Sequence, residues 1–496
     1  MIPIMFCIFM IAVFYLAFKG YQHVKTAEDF IVAGWNLPLS MATWSLVAAL
    51  MAAPFYFAAV GSGYFTGGFE ASATMGGLGS CMVLGAFIWV KPIRRLKGWT
   101  IGDYYGLRFA DRKLGAFAGS IMIIAFGMFN GGALAVGGGY IIQTIFNIPF
   151  WAGLLVFCIL TLIYTLLGGL WSMAYADILN GIISVVGILA ISAVILLTHQ
   201  DKIFNPDWWD VGKLFSKGGT EFWTLYLVLA IGDIPAADLG QRACGAKNPR
   251  VAQLSMAIAG LIVLSICWTP GMLGEAFKTI FPGVENAEPL TLEYARTYWH
   301  PIFAAFFLTA MAGMAMSTLA ACFVSCAGVS SKNIYLDFIK KNPSSSELLL
   351  ISRGGVLLFT VISIVLALSF AKVLELAYLA WDIIFVTITW PLVIPPFWKG
   401  ASRKGVWASI ILGLAVYTAT SVWGVPGADE GGLIWNIFQV PVFFSTSISL
   451  IVFIVGSLVF PPSDEEIKAH AIETNKDLDE VHSAADLKAA GLEPDQ

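Results

Sequence analysis

Two apolar segments of this chain contain helix-breaking residues near their middle, Ala48-Ala49-Leu50-Met51-Ala52-Ala53-Pro54 and Ile231-Gly232-Asp233-Ile234-Pro235. They are the second and the seventh apolar segments, and so they lie five segments apart. Paired interruptions of this kind are typical of an inverted repeat of five plus five membrane helices, whose unwound segments expose carbonyl groups and helix ends to a bound ion and solute. A single proline kink in a membrane helix is common, so a purely structural role stays open for each break.

Composition indicates that most of the chain lies in lipid. Of its 496 residues, 58% are hydrophobic and 12% are charged, and the mean hydropathy is +0.79. Apolar runs long enough to cross a bilayer as helices occur about 13 times, from Pro3–Phe18 to Val440–Phe460. The first run has no basic stretch before it and no small-residue cleavage site after it, so we interpret it as a retained span. We predict an all-α polytopic membrane protein with about 13 transmembrane helices.

The sequence also disfavours a zinc protein, a disulfide scaffold and a soluble enzyme. The seven cysteines show no paired metal-ligand spacing, which argues against a zinc site and against a disulfide scaffold. The polar stretches are too short for a folded soluble catalytic domain, so we do not expect an enzyme.

Lys and Arg side chains are divided unevenly between the two sets of loops. One set is strongly basic and includes Arg94, Arg95, Arg108 and Arg242. The opposite set contains Lys202, Lys213, Lys217, Lys278, Arg296 and Lys372. Because short cytoplasmic loops retain positive charge, this bias predicts an external N-terminus and a cytoplasmic C-terminus. We expect a multi-pass protein of the plasma membrane or of a bacterial inner membrane.

The chain divides into a membrane part and an acidic tail. Residues 1–460 form the predicted transmembrane domain, with the inverted-repeat core at about residues 38–398. Residues 461–496 contain ten acidic and three basic side chains and have no large apolar face. We predict that they form a solvated, partly helical cytoplasmic tail.

Two carboxylates fall within predicted spans, Asp233 beside the second break and Asp382 in the eleventh segment. An ionisable side chain is costly in a membrane and is usually kept for the path of an ion or a solute. The alternative is a carboxylate that backbone amides hold, or one nearer the interface, where we expect Asp238 to lie. No histidine falls in the middle of a predicted span, which disfavours histidine proton relays and metal-dependent proteolysis.

The ninth segment contains the run Met314-Ala315-Met316-Ser317-Thr318. Two adjacent hydroxyls on a helix can each offer one oxygen to a small hard cation, which proteins bind mostly through carbonyl and hydroxyl oxygens. Serine and threonine in membrane helices also bond to the preceding turn or hold helices together. A cation site and a packing role are therefore both open for this pair.

Several separate motifs, in order, resemble the sodium:solute symporter family, which includes transporters of proline, pantothenate, sugars, sialic acid and choline. The resemblance extends to about Phe460. The motifs are Ala33-Gly34; Arg94-Arg95-Leu96; Tyr104-Tyr105-Gly106-Leu107-Arg108-Phe109; Gly168-Gly169-Leu170-Trp171-Ser172; Gln241-Arg242 with Ala246-Lys247; and Met316-Ser317-Thr318 followed by Ser330 and Tyr335. The resemblance implies a LeuT-like core with broken second and seventh helices. It also implies thirteen helices and an external N-terminus, which agrees with the topology that the loop charges predict.

The resemblance also implies a sodium site. The family's ligands correspond here to the backbone carbonyls of Ala48, Met51 and Met314 and to the hydroxyls of Ser317 and Thr318. Some relatives bind a second sodium through hydroxyls at the positions of Ala320 and Ala321, together with the carboxylate that matches Asp177. Both hydroxyls are absent in this chain. The resemblance therefore favours one coupling sodium, with Asp177 helping the ion to leave.

Solute recognition is less defined by the sequence. Choline transporters are similar in the seventh and eleventh segments, but the tryptophans of their cage correspond to Leu50, Asn130 and Ala236 here, so a choline cage is absent. The solute-facing set is taken as the residues that flank the two breaks and the third core-facing helix: Pro54, Phe55, Tyr56, Asn130, Asp233 and Ala236. A structural role stays open for each of them, and a cationic or amino group is a possible partner for Asp233.

The function implied is sodium-coupled import of a small polar organic solute by alternating access. Its expected partners are that solute, the sodium ion and the lipid bilayer, and no nucleic acid is expected. Proton coupling is a weaker alternative because the five predicted ligands are neutral oxygens. A sensor or scaffold that keeps a transporter fold is the alternative from another class, and an enzyme acting on lipid-linked groups is disfavoured because no acidic or histidine cluster lies at an interface.

Overall fold

The computed structural model describes residues 2–51, 53–199, 210–216, 219–370, 372–427 and 432–480, and its regular structure is helical. The helices that form the main part of each span are Ile2–Tyr21, Leu39–Leu50, Ala53–Thr66, Gly68–Ile88, Arg112–Met122, Gly131–Phe146, Phe150–Thr198, Thr220–Leu227, Ala237–Gly245, Pro249–Ser265, Thr269–Ile280, Pro301–Gly328, Ser345–Ser369, Val373–Thr387, Arg403–Trp423 and Pro441–Val459. The short helices are Ala27–Val32, Val90–Arg95, Ile101–Arg108, Val211–Leu214, Leu290–Tyr298, Thr389–Val393, Leu433–Phe438 and Asp464–Thr474. Turns of π-helix occupy Ile123–Asn130, Val228–Gly232 and Val329–Ile339, and turns of 3-10 helix occupy Ala33–Trp35, Pro395–Phe397 and Lys476–Glu480.

The number of spans agrees with the prediction. Ten helical stretches of the described chain are long and apolar enough to cross a membrane, or up to twelve if each of two bent pairs forms one span. One of the ten, Phe150–Thr198, has 49 residues and is non-helical at Gly168 and Gly169. At 1.5 Å per residue its length is about 74 Å, more than twice the hydrocarbon thickness of a bilayer. This helix therefore counts as two spans, which makes thirteen.

The core lies around the ninth span, Pro301–Gly328. Every residue of this helix from Phe307 to Gly328 is buried. A span that protein surrounds on all sides has no lipid-facing side and therefore lies in the interior of the bundle. The peripheral helices Ile2–Tyr21 and Ser345–Ser369 each have only 28% of their most apolar window buried. The adjacent hydroxyls of the ninth span are therefore surrounded by protein.

Both predicted breaks are confirmed. The second span ends its first half at Leu50, resumes at Ala53 and bends by 40° between the halves. The seventh span passes from Thr220–Leu227 through π-helical turns, leaves helical conformation after Gly232 and resumes at Ala237. The last carbonyls of a helix lack partners within the helix. Each break therefore leaves carbonyl groups in the interior of the bundle that can accept from groups outside their own helix, as Ala48 does from Thr318.

A third bend was not predicted. Leu376–Thr387 and Thr389–Phe397 meet at 58°. Pro391 has no N–H to donate and its ring clashes with the preceding turn, which accounts for a helix that bends just before it. Two hydroxyls stabilise this bend, since Tyr105 donates to the carbonyl of Ile388 at 2.5 Å and Thr389 donates to the carbonyl of Gly232 at 3.0 Å. The second of these contacts connects the bend to the break of the seventh span.

Gly169→Ala is expected to destabilise the protein. Gly169 has φ 51° and ψ −131°, a conformation that only glycine adopts readily, and a Cβ atom there would lie 2.1 Å from the carbonyl oxygen of Phe30. Backbone strain and overpacking together cost roughly 2–6 kcal/mol. We expect the unfolding midpoint of the detergent-purified protein to fall by several degrees.

Gly354→Ala is the matched control for this prediction. Gly354 lies inside the helix Ser345–Ser369, and a Cβ atom added there would meet nothing within 4 Å. Alanine is favoured over glycine by about 1 kcal/mol in a helix interior. Equal unfolding midpoints for the two variants would contradict the role assigned to Gly169.

The solvated-tail prediction is wrong for residues 464–480. The helix Asp464–Thr474 and the turn Lys476–Glu480 lie against the bundle, and Glu466 and Glu473 are 2% and 0% exposed. They lie against Val90–Arg95 and Ile101–Arg108, which form, with the adjoining Ala246–Lys247, the side of the bundle that we call the basic face. Acidic side chains can be buried there because basic groups of the bundle compensate for their lost hydration. Residues 481–496 lie outside the described residues.

Candidate functional site

The hydroxyl of Thr318 lies at the end of the first half of the second span. Its Oγ1 is 3.0 Å from the carbonyl oxygen of Ala48, 3.4 Å from that of Ala49 and 3.1 Å from that of Met314. One hydroxyl proton can be donated to only one of these three oxygens at a time. The other lone pairs converge on the same small volume, which is the arrangement that a small cation satisfies.

The remaining two predicted sodium ligands lie next to this cluster in sequence. Ser317 is 0% exposed, and its Oγ accepts a hydrogen bond from Arg242 at 3.3 Å. Met51 is buried and caps the C-terminal end of the helix Leu39–Leu50. The structure thus brings Ala48, Met314 and Thr318 into direct contact. Ser317 is connected to the buried guanidinium group of Arg242.

A buried polar network continues from Ser317 toward the basic face. Arg242 donates through Nε to Ser45 at 2.9 Å, and Ser45 donates to Asp177 Oδ2 at 2.7 Å. The Arg242 guanidinium also lies 3.9 Å from Asp177 and 4.0 Å from Asp238. Counted as ionised, two carboxylates and one guanidinium have a formal charge of −1. One added sodium would neutralise the network, which lowers the cost of holding these charges in a low-dielectric interior.

Asp238, which was expected at the interface, is surrounded by protein. The residue is 4% exposed and lies on the helix Ala237–Gly245, four residues before Arg242. The i, i+4 spacing places its carboxylate on the same helix face as the guanidinium. Asp238 therefore belongs to the buried network around Arg242.

Two side chains of the predicted solute set are buried with incomplete hydrogen bonding. Asp233 is 3% exposed, and its Oδ1 has no hydrogen-bond partner among the described residues. Asn130, at the end of a π-helical turn, donates to the Cys322 thiol at 3.5 Å, while its Oδ1 has no partner within the described part of the chain. A buried polar atom without a partner costs about 1–3 kcal/mol, so such atoms in a native protein usually await a ligand or a water.

The other four residues of this set are buried walls or contacts to other helices. Phe55 faces the eleventh span, with its ring centroid 5.2 Å from that of Trp381. Tyr56 does not face the same way, because its hydroxyl is 2.8 Å from Thr269 of the eighth span. Pro54 lies against Gly137 of the fourth span, and Ala236 is 1% exposed at the second break. Phe55 thus points toward the eleventh span and Tyr56 toward the eighth.

The helix Val373–Thr387 is the element that the sequence did not assign to the site. It touches the second half of the second span, Ala53–Thr66, the π-helical turns before Asp233 and those that end at Asn130. Its Trp381 is 1% exposed and lies between Phe55 and Tyr378. An aromatic residue directly before the intramembrane Asp382 is the signal that could have identified it. Asp382 itself accepts a hydrogen bond from Tyr417 of the twelfth span at 2.7 Å, so its side chain is directed toward that span.

Two further residues of the site were missed or left without a role. Ser45 is a single serine, three residues before Ala48, and nothing in the sequence relates it to Asp177. Arg242 belongs to a family motif, yet only the fold places its guanidinium beside Ser317. Ala320 and Ala321 are buried and have no hydroxyl to offer.

The remaining motifs hold the helix ends together. Arg94 donates to the carbonyls of Ala246 and Lys247 at 2.8 and 3.1 Å, and Gln241 donates to that of Ile31 at 2.7 Å. Ser172 donates to the carbonyl of Ala17 at 2.6 Å, which holds the first span against the turn at Gly169. These side chains satisfy carbonyl groups that the breaks and loops leave free.

A family model and individual relatives both match this chain over most of its length. The model of the sodium:solute symporter family matches residues 30–206 and 215–413. The chain is 23% identical over 475 residues to the sodium/proline symporter of Salmonella typhimurium, covering 88% of this chain and 92% of the relative. It is 24% identical over 421 residues to the high affinity choline transporter 1 of Homo sapiens, covering 79% of this chain and 70% of the relative.

Solved structures show the same fold. A Na+-coupled sialic acid symporter in a substrate-bound outward-open state superposes with a TM-score of 0.74 at 17% identity, over 94% of this chain and 99% of its own. MhsT in complex with L-phenylalanine gives a TM-score of 0.53 at 15% identity, over 85% and 99% of the two chains. These likenesses establish the LeuT-like fold with its inverted repeat.

Proposed function

Since the chain belongs to the sodium:solute symporter family, and is therefore a sodium-coupled membrane symporter, we propose that its solute is a small organic molecule with a positively charged nitrogen. The observation that carries this proposal is Asp233, a buried carboxylate at the break of the seventh span whose Oδ1 has no partner among the described residues. A buried carboxylate needs a compensating charge or donor, and a cationic nitrogen supplies both.

The aromatic pair nearby supports the same chemistry. Phe55 and Trp381 are both buried on elements next to the break. Aromatic faces attract cations, and tryptophan attracts them most strongly. The relatives transport proline and choline, according to their names, and both of those molecules contain a positively charged nitrogen. Asn130 provides a polar group that could bind the remainder of such a solute.

We assign one sodium ion to the carbonyls of Ala48, Met51 and Met314 and the hydroxyls of Ser317 and Thr318. The contacts of Thr318 with Ala48 and Met314 support this assignment, and the absence of hydroxyls at positions 320 and 321 supports a single ion. Asp177 lies on the basic-face side of the site, because its partner Ser45 precedes Ala48 by about one helical turn. This placement supports its role in guiding sodium out.

The proposed cycle follows from these positions. Sodium binds first and holds the ends of the broken helices together, the solute then binds between the two breaks, and both leave when the core opens toward the basic face. One charge moving through 100 mV releases about 2.3 kcal/mol, and a tenfold sodium gradient adds about 1.4 kcal/mol. Together they allow a solute to be concentrated by a few hundredfold.

For the orientation we propose an external N-terminus and a cytoplasmic basic face, in the plasma membrane or a bacterial inner membrane. The loop charges support this placement. Residues 1–460 would form the transporter domain, with its core at about 38–398, and residues 461–496 the cytoplasmic tail.

The first test is the thermal stability of the detergent-purified protein with amino acids, quaternary amines, sugars and carboxylates, each in sodium and in potassium. A ligand stabilises a protein by RT ln(1 + [L]/Kd), so a true solute at 100 times its Kd adds about 2.7 kcal/mol. We expect stabilisation by a cationic or zwitterionic amine in sodium but not in potassium. Stabilisation only by a sugar or an anion would refute the nitrogen-cation proposal, and the absence of any sodium effect would refute the assigned ion site.

A further inference from the structure

The acidic segment 464–480 forms a buried charge network with the basic face. Glu473 is 0% exposed and accepts hydrogen bonds from Tyr104 at 2.6 Å and from Arg108 Nε at 2.5 Å. Arg108 is also 0% exposed, and it donates through Nη1 to the carbonyl of Glu466 at 3.2 Å. His470 lies 3.4 Å from Glu473 and 3.3 Å from Arg108. A fully buried charged pair with this many partners is strongly dependent on both charges.

A second anchor lies at the end of the segment. Asp479 pairs with Lys91 and Arg95, each at 2.7 Å, and Arg95 also donates to the carbonyl of Glu473 at 2.8 Å. Burial alone would raise the pKa of Asp479, but the hydrogen bonds and charges of Lys91 and Arg95 outweigh it and hold the pKa below its usual value. The carboxylate is therefore ionised at neutral pH and available for both bonds.

The start of the segment is anchored to a different part of the bundle. The helix begins with a capping box, in which Ser463 accepts from the N–H of Glu466 and the Glu466 carboxylate accepts from the N–H of Ser463. The same carboxylate also accepts from the N–H of Arg403 at 2.6 Å. Arg403 opens the twelfth span, and the helix also lies against the turn Pro395–Phe397 at the foot of the eleventh span.

The segment therefore bridges both repeats. Lys91, Arg95, Tyr104 and Arg108 belong to the connection between the third and fourth spans, within the first repeat. The turn Pro395–Phe397 ends the second repeat, and the turn Lys476–Glu480 touches the eighth span, Pro249–Ser265, in the second repeat. Alternating access in this fold moves one group of helices against the other. A segment that bonds to several of these helices at one face must stretch, tilt or detach when that face opens.

In this structure the basic face is closed beneath the sodium site. Leu37 and Ala246 form a β-bridge, with Leu37 donating to Gly245 and Lys247 donating to Leu37, both at 3.0 Å. Arg94, next to the tail-bound Arg95, donates to the carbonyl of Ala246 at 2.8 Å. The helices Leu39–Leu50 and Ala237–Gly245, which must separate for release, are thus held together by this bridge and connected through Arg94 and Arg95 to the docked acidic segment.

We propose that residues 464–480 are a latch that docks on the basic face, in the surface formed by Lys91, Arg95, Tyr104 and Arg108, and stabilises the form closed at that face. This proposal gives a role to the motif residues Arg95, Tyr104 and Arg108, which have none in the proposed ion and solute sites. The inference uses the motion expected of the symporter, but it does not depend on which solute is carried.

The test is hydrogen–deuterium exchange of the full-length protein in lipid nanodiscs, without solute, comparing Glu473→Gln with the unchanged chain. The variant keeps the size of the side chain and removes its charge. We expect the amides of Asp464–Thr474 to exchange roughly 100-fold faster or more, since breaking a buried pair leaves Arg108 uncompensated. We expect the amides of Leu39–Leu50 and Ala237–Gly245 to exchange about tenfold faster as the closed form loses population.

Glu465→Gln is the matched control, because it removes the same charge from an exposed position of the same helix. It should leave both sets of amides unchanged. The latch is refuted if Glu473→Gln releases the tail helix while Leu39–Leu50 keeps its protection, and also if it leaves the tail helix in place. Should Glu473→Gln fail to accumulate as folded protein, Asp479→Asn at the partly exposed anchor decides by the same readouts. A protein that shows no response to sodium or solute, while these exchange rates behave as expected, would count against the proposed ion and solute sites and not against the latch.

Discussion

Replacing Thr318 by alanine is expected to raise the sodium concentration that half-saturates uptake by roughly tenfold to a hundredfold. The hydroxyl lies within 3.4 Å of three carbonyl oxygens, and its loss removes a side-chain oxygen that joins the ninth span to the end of the broken second span. An interaction with a charged group contributes about 1.5–3 kcal/mol. The measurement is solute uptake into proteoliposomes as a function of external sodium.

Thr309→Ala separates an ion-binding role from a packing role. Thr309 is buried on the same helix, and its hydroxyl donates only to the carbonyl of Ala305, one turn earlier, at 2.6 Å. It should change the half-saturating sodium concentration by less than about twofold, while Thr318→Ser should retain most of the sodium response. Equal sodium responses in Thr318→Ala and Thr309→Ala would show that Thr318 serves packing alone.

Asp233→Asn is expected to raise the Michaelis constant for the solute by about 30-fold or more. The amide has nearly the same shape as the carboxylate, so the loss reports on charge. Removing one partner of a buried charged pair costs about 2–5 kcal/mol. Uptake kinetics at saturating sodium measure the effect, and the sodium dependence of the variant should stay close to that of the unchanged protein.

Asp382→Asn is the matched control for Asp233, because it removes the same charge from another intramembrane carboxylate. Asp382 already has a partner in Tyr417. Its substitution should affect stability more than solute affinity. An unchanged Michaelis constant in Asp233→Asn would remove this residue from the solute site, and a similar rise in both variants would indicate a general electrostatic effect.

Much of the architecture could be predicted because its signals are local. A run of about 20 apolar residues crosses a bilayer wherever it occurs, and Pro54 or Pro235 interrupts a membrane helix by its own chemistry. The loop charges and the motifs required no knowledge of contacts. The third bend, at Ile388, was not predicted although Pro391 is a local signal for it, and the hydroxyl of Tyr105 that stabilises it lies far away along the chain.

The site was only partly predictable for the same reason. The adjacency of Ser317 and Thr318 is visible in the sequence, whereas the contact of Thr318 with Ala48 spans 270 positions. Ser45 has no distinguishing local signal, and the only local signal of Trp381 is its position directly before Asp382. The burial of Asp238 beside Arg242 likewise depends on where the helix resumes after the break. These residues acquire their roles from neighbours that are far away along the chain.

By itself, the sequence determined that this protein is a bundle of about 13 apolar helices with two broken spans, because lipid imposes length, composition and backbone satisfaction on each segment separately. Only the tertiary structure decided that Arg242 lies beside Ser317, that Asp233 keeps an unpartnered oxygen within the described protein, and that the tail docks on the basic face. The tail shows the physical reason most clearly. An acidic segment of low hydrophobicity is predicted to stay in water, and it is buried here because Arg108, Arg95 and Lys91 replace the hydration that its carboxylates lose.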